Sequence, residues 1–300
     1  MYVNKHWGTE NKDDKSLDYY LDLTKDFKSS FKPFEVIKRK GSIGEHYIID
    51  ESRSNPVGAK ARFGEFLMTK LDGYKEIVYV QPRRGFAGIS LSYLCELYRK
   101  NLTLVMPSSK KSSDHQRLCI EYGAKPLFVR IAAMPNANKY AKEYAEKRGA
   151  FFIPLGLQHE YVIAGAVRSI HDYFAGEKHP ERMWCVISTG VLSRSLQIAL
   201  PKTKFYNVAV SRNIQQGELG RAKFYSYHKR FETVADYVPK TFNCEPSYDS
   251  KGYEYMLKYG KEGDWFFNVA GEAPKPTLQA EEVDSYRDWG DFKDFKGTII

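Results

Sequence analysis

The segment from Glu76 to Pro107 reads EIVYV QPRRGFAGIS LSYLCELYRK NLTLVMP. Glu76–Val80 is an apolar run of strand length, bounded by Lys75 and by Gln81–Pro82. Residues 87–99 have helical character, and Leu102–Met106 is a second apolar strand stopped by Pro107. Neither strand alternates with polar residues, as expected of strands buried on both faces. A helix of some ten residues between two such strands is a βαβ unit and predicts a parallel sheet.

The same rhythm extends outward. Downstream, Ser112–Tyr122 reads as a helix with Gly123 as its cap, Pro126–Arg130 as a strand, Asn136–Arg148 as a helix and Ala150–Ile153 as a strand. A second series follows. It has a helix at Tyr161–Phe174, carrying Gly165 and Ala166 for close packing, and a strand at Trp184–Ile187. A helix starts at Ser193–Ala199, followed by strands at Phe205–Val210 and Trp265–Val269. Upstream, Ser54–Asn55–Pro56 marks a turn, and Phe63, Phe66, Leu67 and Leu71 recur at helical spacing. Residues 1–50 read as polar and irregular with a helix near Leu17–Phe27, 211–264 give little pattern, and 270–300 read as a surface wrap. The expectation is an α/β protein with two lobes, parallel sheets and helices on both faces, and a ligand cleft at the carboxyl ends of the strands.

Three hundred residues, 42% of them hydrophobic, suffice for a sizeable core without disulfides or metal. Cys95, Cys119, Cys185 and Cys244 have no metal-ligand spacing, so no metal site is expected and a reducing, cytoplasmic compartment is. No apolar run approaches membrane-spanning length, and the opening MYVNKHWGTENKDDK has no apolar core, so neither a membrane span nor a secretory signal is expected. Lys and Arg outnumber Asp and Glu by 46 to 37, a net charge of +9, which suits an anionic substrate or a nucleic acid.

Three loops between elements could carry chemistry. Gly58–Gly64 places Lys60 just before a helix. Arg83–Ser90 connects strand to helix, and its glycines let backbone N–H groups approach an anion. Ser188–Ser193 offers hydroxyls and N–H groups at a helix start, a setting for phosphate or for a plain cap at Ser193.

Taken in order, these loops resemble the fold type II pyridoxal-phosphate (PLP) enzymes, the superfamily of cysteine synthase, the tryptophan synthase β-subunit, threonine deaminase and aminocyclopropane-carboxylate (ACC) deaminase. Ala59-Lys60-Ala61-Arg62 stands where that family has its cofactor lysine, and Gly85-Phe86-Ala87-Gly88-Ile89 where it has a G-N-T-G-I turn. Leu104-Val105-Met106-Pro107, Gly123-Ala124 and Ser188–Ser193 match the later strand, helix end and phosphate loop. The resemblance implies PLP joined to Lys60 as a Schiff base. Phe86, Ser188, Thr189, Gly190, Val191, Leu192 and Ser193 would then be cofactor contacts, and Asn268 the partner of the pyridine nitrogen. It also implies substrate contacts at Arg83, Arg84, Gly85, Ala87 and His159, and a homodimer. The smaller lobe is expected at 60–154, the larger at 1–59 plus 155–300, with the cofactor between them.

Two departures bear on the substrate. Phe86 replaces an asparagine that touches the cofactor, and Arg83–Arg84 replace small hydroxyl residues that hold a substrate carboxylate. Paired guanidinium groups suit a phosphate or a carboxylate pair. The implied activity is a lyase or decarboxylase acting at the Cα of an amino-acid group. That group could be one attached to a thymine, as in bacteriophage DNA hypermodification, which would bring DNA contact and a host-cytoplasmic location. The alternatives are β-elimination or β-replacement on free amino acids, and a PLP-fold binding protein without chemistry.

Overall fold

A computed structural model of the chain describes residues 14–108, 111–130, 133–210 and 219–284. In chain order the first elements are α1 (Leu17–Leu23), β1 (Val36–Gly41), β2 (Gly44–Asp50), α2 (Glu51–Ser54) and α3 (Ala59–Met68). Next come β3 (Glu76–Val80), α4 (Ala87–Leu97), β4 (Asn101–Pro107), α5 (Asp114–Glu121), β5 (Lys125–Val129), α6 (Met134–Arg148) and β6 (Phe151–Phe152). The rest are α7 (Glu160–Phe174), β7 (Arg182–Ile187), α8 (Val191–Ala199), β8 (Lys204–Ala209), β9 (Lys223–Ser226), α9 (Asp249–Tyr259), β10 (Trp265–Asn268) and α10 (Ala280–Asp284).

The chain divides into two compact units, one of residues 1–66 and 160–272, the other of 67–159 and 273–300. The start of α3, with Lys60, therefore belongs to the larger unit, whereas the sequence reading begins the smaller lobe there.

The smaller unit holds a four-stranded sheet in the order β5-β4-β3-β6, parallel throughout, with Val80 opposite Val105. Its strands are apolar over most of their inner length because helices cover both faces. Val78, Val80, Val105, Leu127 and Val129 pack on Ala137, Ala141 and Ala145 of α6. Ser113 opens α5 with a reciprocal capping box to Gln116, and α6 ends on Gly149 in the left-handed region. Thr277 anchors the last described segment to this unit by donating to the Glu121 carboxylate through its N–H (3.0 Å) and Oγ1 (2.6 Å).

The larger unit holds a six-stranded sheet in the order β1-β2-β10-β7-β8-β9. Among the described residues only β1 and β2 pair antiparallel in it, with Val36 opposite Ile49, while the other pairings are parallel. Ile48, Trp184, Val186, Val208, Met256 and Phe266 form its buried centre. The β1–β2 hairpin lies in the region the sequence reading left irregular. β1 is an edge strand carrying Lys38, Arg39 and Lys40, so it lacks the apolar signature of the inner strands.

Candidate functional site

Lys60 is the second residue of α3. The chain reaches it through a buried turn in which Glu51, wholly buried, pairs with Arg62, 3% exposed, at 2.8 Å. Arg62 also lies over the Phe34 ring, 4.4 Å from its centroid. The Ala59 N–H donates to the Val269 carbonyl at 2.8 Å, which ties the helix start to the end of β10. The opposite side of α3 packs on α7 through Gly165, where a Cβ would lie 2.6 Å from the Phe63 carbonyl oxygen. The sequence reading's close-packing role for Gly165 has this contact as its cause.

The Lys60 side chain lines a small pocket with Val186–Ser193, Tyr248 and Val269. It is accessible through that pocket, and its amine makes no hydrogen bond to a described residue. Burial lowers the Lys60 pKa below the usual lysine value, and the nearby Asp249 partly opposes this. The pocket between these residues encloses about 30 Å³. Its chemical fit rests on the donor set.

That donor set is the start of α8. Gly190 is its N-cap, with φ 75°, and no side chain caps the helix. The first intrahelical N–H to find a carbonyl is that of Arg194, which donates to Gly190 O at 2.9 Å. The N–H groups of 191–193 are therefore unspent donors at the positive end of a helix dipole. Ser188 and Thr189 add partly exposed hydroxyls. Ser193 does not, because its hydroxyl faces inward and accepts from Asn207 Nδ2 (2.7 Å) and Gln197 Nε2 (2.8 Å). It anchors the helix start to β8.

Asn268 is not among the pocket's lining residues. Its Nδ2 donates to Asp50 Oδ1 (2.8 Å) and to the Asn243 carbonyl (2.9 Å). Two residues the sequence reading missed stand near Lys60, Tyr248 in the pocket lining and Asp249 outside it. Tyr248 lines it, with its hydroxyl 3.5 Å from Ser188 Oγ. Asp249, wholly buried at the start of α9, accepts from the Val269 N–H (3.3 Å) through Oδ1, while Oδ2 has no partner among the described residues. Burial pushes the Asp249 carboxyl well above the usual carboxylate range.

Arg83, Arg84, Gly85, Phe86, Ala87 and His159 belong to the smaller unit. Gln81, wholly buried, holds their turn by donating to the Gly85 carbonyl (3.0 Å) and accepting from the Gly88 N–H (2.9 Å). A Cβ at position 88 would lie 2.3 Å from Gln81 Oε1, which explains the second glycine. Phe86 meets His115 edge-on at 5.6 Å, and Ala87 is buried. Arg83 and Arg84 are exposed, with no ion pair among the described residues. His159 packs edge-on against Phe151 at 5.7 Å.

No family model and no curated protein matches the chain. Solved structures do. An ACC deaminase homologue matches with a TM-score of 0.71 at 14% identity, over 89% of this chain and 97% of that one. Diaminopropionate ammonia lyase of Escherichia coli matches at 0.65 and 12%, over 96% and 95%, and maize serine racemase at 0.65 and 13%, over 89% and 95%. The chain thus has the fold type II α/β architecture that its motifs resemble.

Proposed function

We propose that the chain is a PLP-dependent enzyme, of lyase type, acting at the Cα of an amino-acid group. One observation carries this reading: a lysine amine held below its usual pKa, with no hydrogen bond to a described residue, shares a pocket with an uncapped helix start. The donor set supports this reading group by group. Lys60 would hold its aldehyde carbon, the N–H groups of 191–193 with Ser188 and Thr189 its phosphate, and the unpartnered Asp249 Oδ2 its ring nitrogen. Asn268 stays as the alternative acceptor, since its Nδ2 is committed to Asp50 and Asn243 while its Oδ1 has no partner among the described residues.

When bound, PLP supplies an electron sink for charge developing at the substrate Cα. The residues of the chain do the rest. Burial shifts the Lys60 amine toward its unprotonated form, in which it can act as nucleophile and can later take or return the Cα proton. The α8 start gives a phosphate fixed, preorganised donors. Ser193, held by Asn207 and Gln197, keeps that helix start in place. The structural neighbours named a lyase and a racemase of amino acids favour free amino acids as substrates.

A second reading, with the amino-acid group joined to a DNA base, is favoured by the exposed Arg83–Arg84, which make no ion pair among the described residues. Duplex binding that weakens steeply with salt supports it, and absence of duplex binding at low salt removes it.

The decisive test is borohydride reduction of protein incubated with PLP, followed by peptide mass spectrometry. A pyridoxyl group on Lys60 is expected, and it should be lost in Lys60→Ala. Its absence from Lys60 in the unsubstituted protein overturns the reading.

A further inference from the structure

The residues flanking Lys60 are held from a single carboxylate. Glu51 Oε1 accepts from Arg62 Nε at 2.8 Å and from Asn55 Nδ2 at 3.2 Å. Asn55 passes the hold to the turn before the lysine, since Nδ2 also donates to the Gly58 carbonyl (2.9 Å) and Oδ1 accepts from the Val57 N–H (3.2 Å). Arg62 lies two residues after the lysine and Gly58 two before it. Glu51 therefore grips both sides of Lys60 without touching it.

We propose that Glu51 is a positioning residue for Lys60, whose carboxylate clamps the first turn of α3 so that the lysine amine stays in its pocket. The inference deepens the reading of Lys60 as the cofactor lysine and takes its meaning from that reading. Glu51 is wholly buried, and burial raises its pKa to about 7 against the pull of Arg62. The clamp thus tightens as pH rises through neutrality and Glu51 takes its charge.

The groups around Glu51 are few. Arg62 meets it from α3, Asn55 and Ser54 from its own turn. Phe31 and Phe34 close the far side of Arg62. The neighbouring carboxylates point elsewhere, with Asp50 Oδ1 bound to Ser52 and Asn268, and Glu65 held by Ser29 and Ser30.

The test is competitive labelling of Lys60 with acetic anhydride, read by mass spectrometry from about pH 6 to about pH 9, in the full chain and in Glu51→Gln and Arg62→Lys. Glu51→Gln keeps shape and hydrogen bonds but not charge, so its circular dichroism should be unchanged. In both variants the Lys60 amine should drift back toward the ordinary lysine pKa. Labelling at about pH 8, relative to exposed lysines, should then fall by about tenfold for each unit regained. Glu35→Gln, which breaks an exposed ion pair with Arg53, should change nothing. A Lys60 profile in Glu51→Gln and Arg62→Lys that overlays the unsubstituted one overturns the proposal. Pyridoxyl incorporation, measured alongside, separates the two ideas: a shifted profile without any pyridoxyl on Lys60 keeps the clamp and discards the cofactor.

Discussion

Gly165→Ala sets two well-measured effects against each other. Alanine in the middle of a helix is worth about 1 kcal/mol over glycine. On propensity alone the substitution would stabilise α7. The structure predicts the opposite sign, because the new Cβ would lie 2.6 Å from the Phe63 carbonyl oxygen and 3.2 Å from the Phe66 Cβ. The nearer atom is main chain and cannot rotate away. Restoring ordinary contact at 3.4 Å means parting α3 from α7 by about 0.8 Å, the difference between 3.4 and 2.6. Forced separation of this kind costs about 1–3 kcal/mol, so the net should lie between about zero and about 2 kcal/mol of destabilisation. At about 2–4 °C per kcal/mol the thermal midpoint should fall by a few degrees. Since α3 carries Lys60, acetylation of that lysine should change with it. A midpoint raised by the substitution would refute the close α3–α7 approach.

Gly190→Ala should cost about 1–2 kcal/mol in urea melts, because φ at this cap is 75°. It should also weaken binding of inorganic phosphate, and unchanged phosphate affinity would remove α8 from the anion site. Asp249→Asn should stabilise the cofactor-free chain, more so at high pH. The carboxyl pKa is raised in the folded state, so the wild-type chain loses stability as pH rises above the unfolded value, and asparagine does not titrate. Denaturant melts at two pH values check this, and a pH-independent difference would show that Asp249 does not hold its proton. The same variant should bind PLP more weakly while still binding inorganic phosphate.

Much of the fold is legible in the sequence, because parallel strands buried on both faces advertise themselves as unbroken apolar runs. Glu76–Val80 coincides with β3, and Leu102–Met106 falls inside β4. What escapes reading does so for physical causes. β1 is charged because it lies at an edge, and the mixed pattern of Val36–Gly41 hides it. α9 carries Gly252, which argues against a helix, yet a Cβ there would lie 2.4 Å from Val186 Cγ2. With α9 unread, Tyr248 and Asp249 had no element to stand on and could not be matched to Lys60. The loop lysine and the 188–193 turn were legible since their spacing is local. The direction of the Ser193 hydroxyl was not, as it depends on Asn207 in the next strand.

The edges of the six-stranded sheet have a consequence for how copies of this chain meet. An open strand is a template on which other polypeptides can zip up through their main chains. Here one rim presents Lys38, Arg39 and Lys40 in succession, and the other is the four-residue β9. Crowding a like rim against the first would bring an excess of cations onto cations, Lys38 being offset by Glu45 at 2.7 Å, and the second is too short to recruit much. Ribbon-like aggregates are thereby discouraged at both borders.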